Sequence, residues 1–200
     1  MTMNPTQAKR ITKVSKEDGF TLIELIFVLA VIGILGAMAT PFVREMLIEG
    51  RVEPTSKDII NITNVIRASG SASGSPTPYS TMGTTTATAA IANAARGKAV
   101  SLTVGGAGAT ATVQHQLGAS GSEVTAAAAA NPTSGDTFTI TLPTVNKAAC
   151  PGIATQLNRV AEAIEINGTS VKAAGGQYDG TTAQNVCTPD DSNTFVFTFR

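Results

Sequence analysis

The stretch "GFTLIELIFVLAVIGILGAMATPFV", Gly19 to Val43, is apolar almost throughout, yet it holds one full charge, Glu24, near its start. As a helix rising ~1.5 Å per residue, Phe20–Val43 reaches about 36 Å, enough to cross a bilayer with some tilt. It exceeds the apolar region of an ordinary secretory signal, and no small-residue cleavage site comes after it. Lys9, Arg10, Lys13 and Lys16 all precede the run. That asymmetry predicts that residues 1–19 stay cytoplasmic and that the C-terminal part is exported. An uncleaved signal anchor is the plainest reading of hydropathy alone.

Glu24 points elsewhere. A carboxylate inside a membrane helix costs roughly 2–4 kcal/mol and calls for a named partner. No Lys or Arg lies between Phe20 and Val43. Cutting the chain after Gly19 would create an α-amino group on Phe20, four residues from Glu24 and on the same helical face. That amine can pair within its own chain or with Glu24 of a neighbour. The second arrangement turns the charge into an assembly device.

A basic leader, Gly19, then Phe20-Thr21-Leu22-Ile23-Glu24 and an apolar helix together resemble the class III signal of type IV pilins and pseudopilins. The resemblance implies that prepilin peptidase cuts after Gly19 and methylates the new amine of Phe20. It also implies that Glu24 aligns incoming subunits. Gly33, Gly36 and Pro41 are expected to interrupt the helix, since glycine weakens a helix interior by ~1 kcal/mol and proline by ~3. Small residues also suit close packing between membrane helices. The resemblance adds a segment able to unwind in a filament.

Beyond Val43 the pattern becomes amphipathic. Arg44, Glu45, Glu49, Arg51 and Glu53 alternate with Met46, Leu47, Ile48 and Val52. Pro54 is expected to break or kink the helix, and Thr55-Ser56-Lys57-Asp58 reads as a capping box restarting it. Ile59, Ile62 and Ile66 recur at helical spacing, and Gly70 is a candidate stop. Phe20 to Ser69 is thus expected to form one long, twice-interrupted helix whose second half packs on a globular domain. Ser71–Pro78 reads as a loop, and Thr84–Arg96 and Ala148–Arg159 as helices. Val100–Val104, Thr110–Gln116, Thr137–Leu142, Ala161–Ile166 and Thr194–Phe199 read as strands. A long helix followed by non-local strands is an α+β pattern. The expected form is an apolar helix half that protrudes, a second half on an antiparallel-rich sheet, and a C-terminal disulfide-bounded region.

Of the 200 residues, 42% are hydrophobic and 14% charged; tryptophan is absent and aromatics are 4%. Any core is expected to rely on Ile, Val, Leu and Ala, and the Ala/Gly/Ser/Thr-rich middle from Ala68 to Gly135 predicts a thin core with long loops. Formal charge is zero, and no basic patch is dense enough to suggest direct nucleic-acid binding. Gly106-Ala107-Gly108 mimics a dinucleotide fingerprint, but Ala109–Gln116 alternates like a strand and no βαβ unit surrounds it. His115, the one histidine, reads as structural or solvent-exposed, and no catalytic set or metal cluster assembles around it. Asn61-Ile62-Thr63 and Asn167-Gly168-Thr169 match glycosylation sequons, a pattern frequent by chance.

Cys150 and Cys187 are the only thiols. In an exported domain an isolated pair reads as a disulfide, the alternative being two buried free thiols. "AACPGIATQLNRVAEAIEINGTSVKA", Cys187 and the closing "NTFVFTF" resemble the C-terminal region of type IVb pilins, which include toxin-coregulated, bundle-forming and conjugative thin-pilus pilins. The 19-residue leader and the aromatic Phe20 depart from that subclass, whose leaders are usually longer and whose first mature residue is usually non-aromatic. The expectation is a prepilin with a leader over 1–19, a long helix over 20–69 (membrane or filament core over 20–43), and an exported domain over 70–200. Its partners are copies of itself in a helical homopolymer, prepilin peptidase, inner-membrane pilus assembly machinery and, before assembly, the membrane; no cofactor is implied. The alternatives are a pseudopilin of a type II-like secretion system and a signal-anchored membrane enzyme or receptor.

Overall fold

The computed structural model describes residues 19–118, 122–130 and 134–200; the basic leader lies outside them. The described residues divide into two compact units, one ending at Pro41 and one running from Phe42 to Arg200. Helix α1 covers Leu22–Gly50 and α2 covers Val52–Ser71, separated by a single turn residue, Arg51. Taken together, Leu22–Ser71 is long and apolar enough to cross a membrane.

Two expectations about this helix need correction. It is not interrupted at Gly33, Gly36 or Pro41, which all lie inside α1. Thr40 Oγ1 donates to the Gly36 carbonyl at 3.0 Å, so that side chain adds to the helical ladder just before the proline. One missing proline N–H is tolerated because propagation through the flanking turns is cooperative. The observed break sits at Arg51, upstream of Pro54. Pro54 has no N–H to give the Gly50 carbonyl and its ring crowds that group, so the disruption falls at position i−4.

Thr55-Ser56-Lys57-Asp58 is also not a capping box. All four lie inside α2, whose N-cap residue is Arg51. Thr55, Ser56 and Asp58 are buried, and Asp58 caps a distant segment instead. Its Oδ2 accepts from Val100 N at 2.9 Å and from Ser101 N and Oγ, each at 2.7 Å.

Helix α3 (Thr84–Ala95) is followed by the short strands β1 (Thr103–Gly105) and β2 (Thr112–Gln114), which pair antiparallel. The run Gly106–Ala111 is the turn between them. Strands β3 (Thr125–Ala130) and β4 (Ser134–Val145) precede helix α4 (Cys150–Leu157). Strands β5 (Ala163–Ile166) and β6 (Thr169–Lys172), helix α5 (Gly180–Val186) and β7 (Asn193–Phe199) complete the chain. The main sheet has the order β3-β4-β7-β5-β6, with every neighbouring pair antiparallel. The C-terminal strand is therefore the middle one.

That placement explains the core. Along β7 every second residue is buried, so Phe195, Phe197 and Phe199 share one face. Phe197 stands between Ile140 of β4 and Ile164 of β5; Phe195 stands between Leu142 and Ile166; Phe199 opposes Phe138. The α2 stripe Ile59, Ile62 and Ile66, as expected, is buried, with Ile153 and Leu157 of α4 and Ile91 of α3. Arg67 of α2 lies over the Phe199 ring, 5.9 Å from its centroid. The expectation of a purely aliphatic core is thus corrected. Seven phenylalanines are few, but the four beyond Phe42 are concentrated in two adjacent strands.

Three elements, β3, β6 and α5, were not expected from sequence. The Ala run of β3 would favour a helix by propensity, yet it pairs along β4 from Thr125↔Thr141 to Ala129↔Thr137. Asn167 and Gly168, at φ 53° and 78°, form the tight turn that makes a hairpin of β5 and β6. Asn-Gly between apolar alternating runs is a hairpin signal that sequence reading could have used. Gly70 does not stop α2, which continues to Ser71; it leaves room for Tyr79, whose ring would stand 2.8 Å from a Cβ there.

Candidate functional site

Two regions carry the residues singled out from sequence. At the front of α1, Gly19 and Phe20 are exposed and precede the helix. Thr21 closes the first turn: its Oγ1 accepts from Glu24 N at 3.3 Å and its carbonyl from Leu25 N at 3.2 Å. Thr21-Leu22-Ile23-Glu24 therefore fits the capping-box pattern, a signal that sequence reading passed over. A carboxylate in the first turn also suits the positive end of the helix dipole. Glu24 is exposed, and no salt-bridge partner is found for it among the described residues. Phe20 and the large apolar side chains along α1 stand open: Phe20 is 77% exposed, Ile34 63% and Phe42 71%. A Cβ added at Gly33 or Gly36 would meet open space. Within one chain, then, these glycines are not demanded by a close approach.

The second region is the C-terminal disulfide loop. Cys150 and Cys187 are bonded, with Cα atoms 6.1 Å apart and a sequence separation of 37. The bond ties the first turn of α4 to the residue that ends α5. Pro151 is accepted there because the first helical turn needs no donor. Asp179 opens α5 by accepting from Thr181 N and Thr182 N, both at 3.0 Å. Its hydrogen bonds from Thr182, side chain and backbone, hold its carboxyl below the ordinary aspartate range.

Amide side chains join this loop to the sheet. Asn193 is fully buried. It donates to the carbonyls of Val145 and Thr188, both at 3.0 Å, and accepts from Thr188 N at 2.7 Å. Asn167 donates to Val186 O at 2.9 Å and Asn193 Oδ1 at 3.0 Å, and accepts from Thr194 N at 2.8 Å. The amide nitrogen of that sequon is thus committed to the fold. In the other sequon Asn61 is exposed on α2 while Thr63 is buried. Asp191 receives Arg44 of α1 in an ion pair and Asn146 Nδ2 at 2.8 Å. Burial opposes its charge, but the bonds from Arg44 and Asn146 outweigh it, so its carboxyl is held below the ordinary value.

His115 has a structural role. It is 4% exposed. Its Nδ1 accepts from Leu117 N at 3.2 Å, which leaves Nε2 to donate to Pro143 O at 2.7 Å. Burial lowers its pKa, against the raising effect of the Pro143 bond, so the neutral ring fits both contacts. Pro143 and Thr144 form a register shift in β4, with Thr144 at φ 54°. A β-branched residue in that region is strained, and His115 braces the carbonyl beside it.

A family model described as a prokaryotic N-terminal methylation motif matches residues 14–40. A second, described as PilS N terminal, matches residues 53–200. No curated protein matches the chain. Among solved structures, the chain is similar to that of a type IV b pilin from Salmonella typhi. The sequence identity is 25% and the TM-score 0.49, with 74% of this chain and 96% of that chain covered. The second family model spans most of the chain and the first covers its N-terminal methylation motif, so this protein belongs to the PilS N-terminal family and is a type IV pilin.

Proposed function

We propose that this chain is the major structural subunit of a type IVb pilus, made as a prepilin. Prepilin peptidase removes residues 1–19 and methylates the Phe20 amine, leaving 181 residues. The mature N-terminal segment, beginning at Phe20 and carrying α1, is held in the inner membrane through Phe20–Val43. Pilus assembly machinery then extracts it into a helical homopolymer whose outer layer is the domain over 70–200. The work is done by exchange of burial: the apolar helix trades lipid for neighbouring helices. Gly33, Gly36 and Pro41 mark the stretch whose helix is weakest and unwinds on packing. The subunit acts by assembly rather than by catalysis.

The observation that carries this reading is the methylation motif over residues 14–40. It brackets an exposed Gly19-Phe20 bond just ahead of a helix whose apolar residues stand open. Intact mass and N-terminal sequencing of sheared surface fibres test it. The expected species begins at N-methylated Phe20 and contains the Cys150–Cys187 bond. Fibres lacking this chain, or a chain that keeps residues 1–19, would refute it. Gly19→Trp should leave only the longer precursor on immunoblots.

A further inference from the structure

Tyr79 lies at a cleft between α2, α3 and the turn that precedes α3. The residue is 5% exposed, and its ring packs against Phe138 with centroids 4.8 Å apart. Its hydroxyl is not sealed off from solvent, yet it has no hydrogen-bond partner among the described residues. Burial pushes the phenol pKa up, against the pull of the Arg67 charge, so the group remains a donor at neutral pH. The cleft holds about 460 Å³, within the roughly 300–1,000 Å³ of small-molecule sites. Val65, Ile66, Met82 and Ala94 supply apolar walls, and Asn93 and Lys98 are polar lining residues. Lys98 is exposed and joins no ion pair among the described residues. Gly70 keeps the cleft in shape, because a Cβ there would collide with the Tyr79 ring.

We propose that this cleft binds a small amphipathic carboxylate, with its apolar body against Val65, Ile66, Met82 and Ala94, its acid on Lys98, and a second oxygen accepting from the Tyr79 hydroxyl. The lining favours this class over a purely apolar guest. A ligand that brings acceptors engages both the unpartnered Tyr79 hydroxyl and the unpaired Lys98 cation, whereas a purely apolar guest would displace their water without replacing its hydrogen bonds. A few placed polar groups in an apolar setting are what fixes a ligand's orientation.

The probe is 4-oxo-4-phenylbutyrate, which has an aromatic body, a ketone and a carboxylate. It is titrated calorimetrically into the full chain in lipid nanodiscs, with empty nanodiscs as the background. Saturable binding is expected. Lys98→Glu, at an exposed position, should weaken it by about tenfold or more, the scale of a lost charge-assisted hydrogen bond. Tyr79→Phe should weaken the keto acid but leave 4-phenylbutyrate, which lacks the ketone, unchanged. Ala94→Phe should block both by filling the cleft. Absence of saturable binding to the wild-type chain overturns the proposal. So does undiminished binding to Lys98→Glu. Equal affinity for the neutral amide of the probe would assign the cleft to an uncharged guest and overturn the carboxylate assignment.

Discussion

Asp58 holds Ser101 with one carboxylate oxygen: the Ser101 N–H and hydroxyl both donate to Oδ2 at 2.7 Å, and Val100 N adds a third bond at 2.9 Å. Both residues are nearly sealed, at 4% and 5% exposure. This contact pins the segment after α3 to the middle of α2. Asp58→Ala leaves a buried amide and hydroxyl unsatisfied and should cost about 3 kcal/mol; Ser101→Ala removes one bond and should cost about 1. Urea unfolding of the full chain, followed by circular dichroism, measures both. Wild-type stability in Asp58→Ala would show that the contact contributes nothing.

The disulfide closes 37 positions of chain, a constraint worth about 4 kcal/mol on the loop-entropy model. Cys150→Ser, Cys187→Ser and the double variant should lose similar amounts, because losing either partner abolishes the same cross-link. Thermal melts of the three variants check this. Unchanged midpoints would mean that the loop is held by its amide bonds alone.

Asp191 makes stability depend on pH in a definite direction. Its folded pKa lies below the ordinary 3.8. The folded state therefore binds its proton less readily than the unfolded state. The ion pair with Arg44 contributes fully above the ordinary value and is lost as pH falls through the depressed folded value. The stability gap between wild type and Asp191→Asn should be constant near neutrality and shrink as pH falls below 3.8. A gap that widens on acidification contradicts the assignment.

Glu24→Gln keeps the shape of the side chain and removes its charge. Processing after Gly19 should proceed normally, and insertion should be no harder. Fibre yield should fall, because the Phe20 amine loses its partner in an apolar setting, where an unpaired charge is costly. Comparing cell-associated mature subunit with sheared fibre separates the two steps. Wild-type fibre yield would refute charge pairing, and would leave the capping role with Thr21 as the reason for a residue of this shape at position 24.

Much of this molecule is written in local patterns. The apolar run from Phe20, the charge at Glu24, the period of Ile59, Ile62 and Ile66, and the alternation in Phe195–Phe199 each depend on residues a few positions apart. Short-range sterics and hydropathy decide such features, so they were legible in the chain alone, as was the pair of cysteines. The rest was settled by distant partners. The Ala run of β3 is a strand because β4 offers it a ladder, against its own helix propensity. Asp58 faces Ser101, 43 positions away, so a residue that looked like a local cap became a cross-link. Four phenylalanines make a core because β7, the last strand, takes the middle of the sheet between β4 and β5. Non-local pairing of this kind is selected by total burial and hydrogen bonding over the whole fold, which no short window of sequence contains.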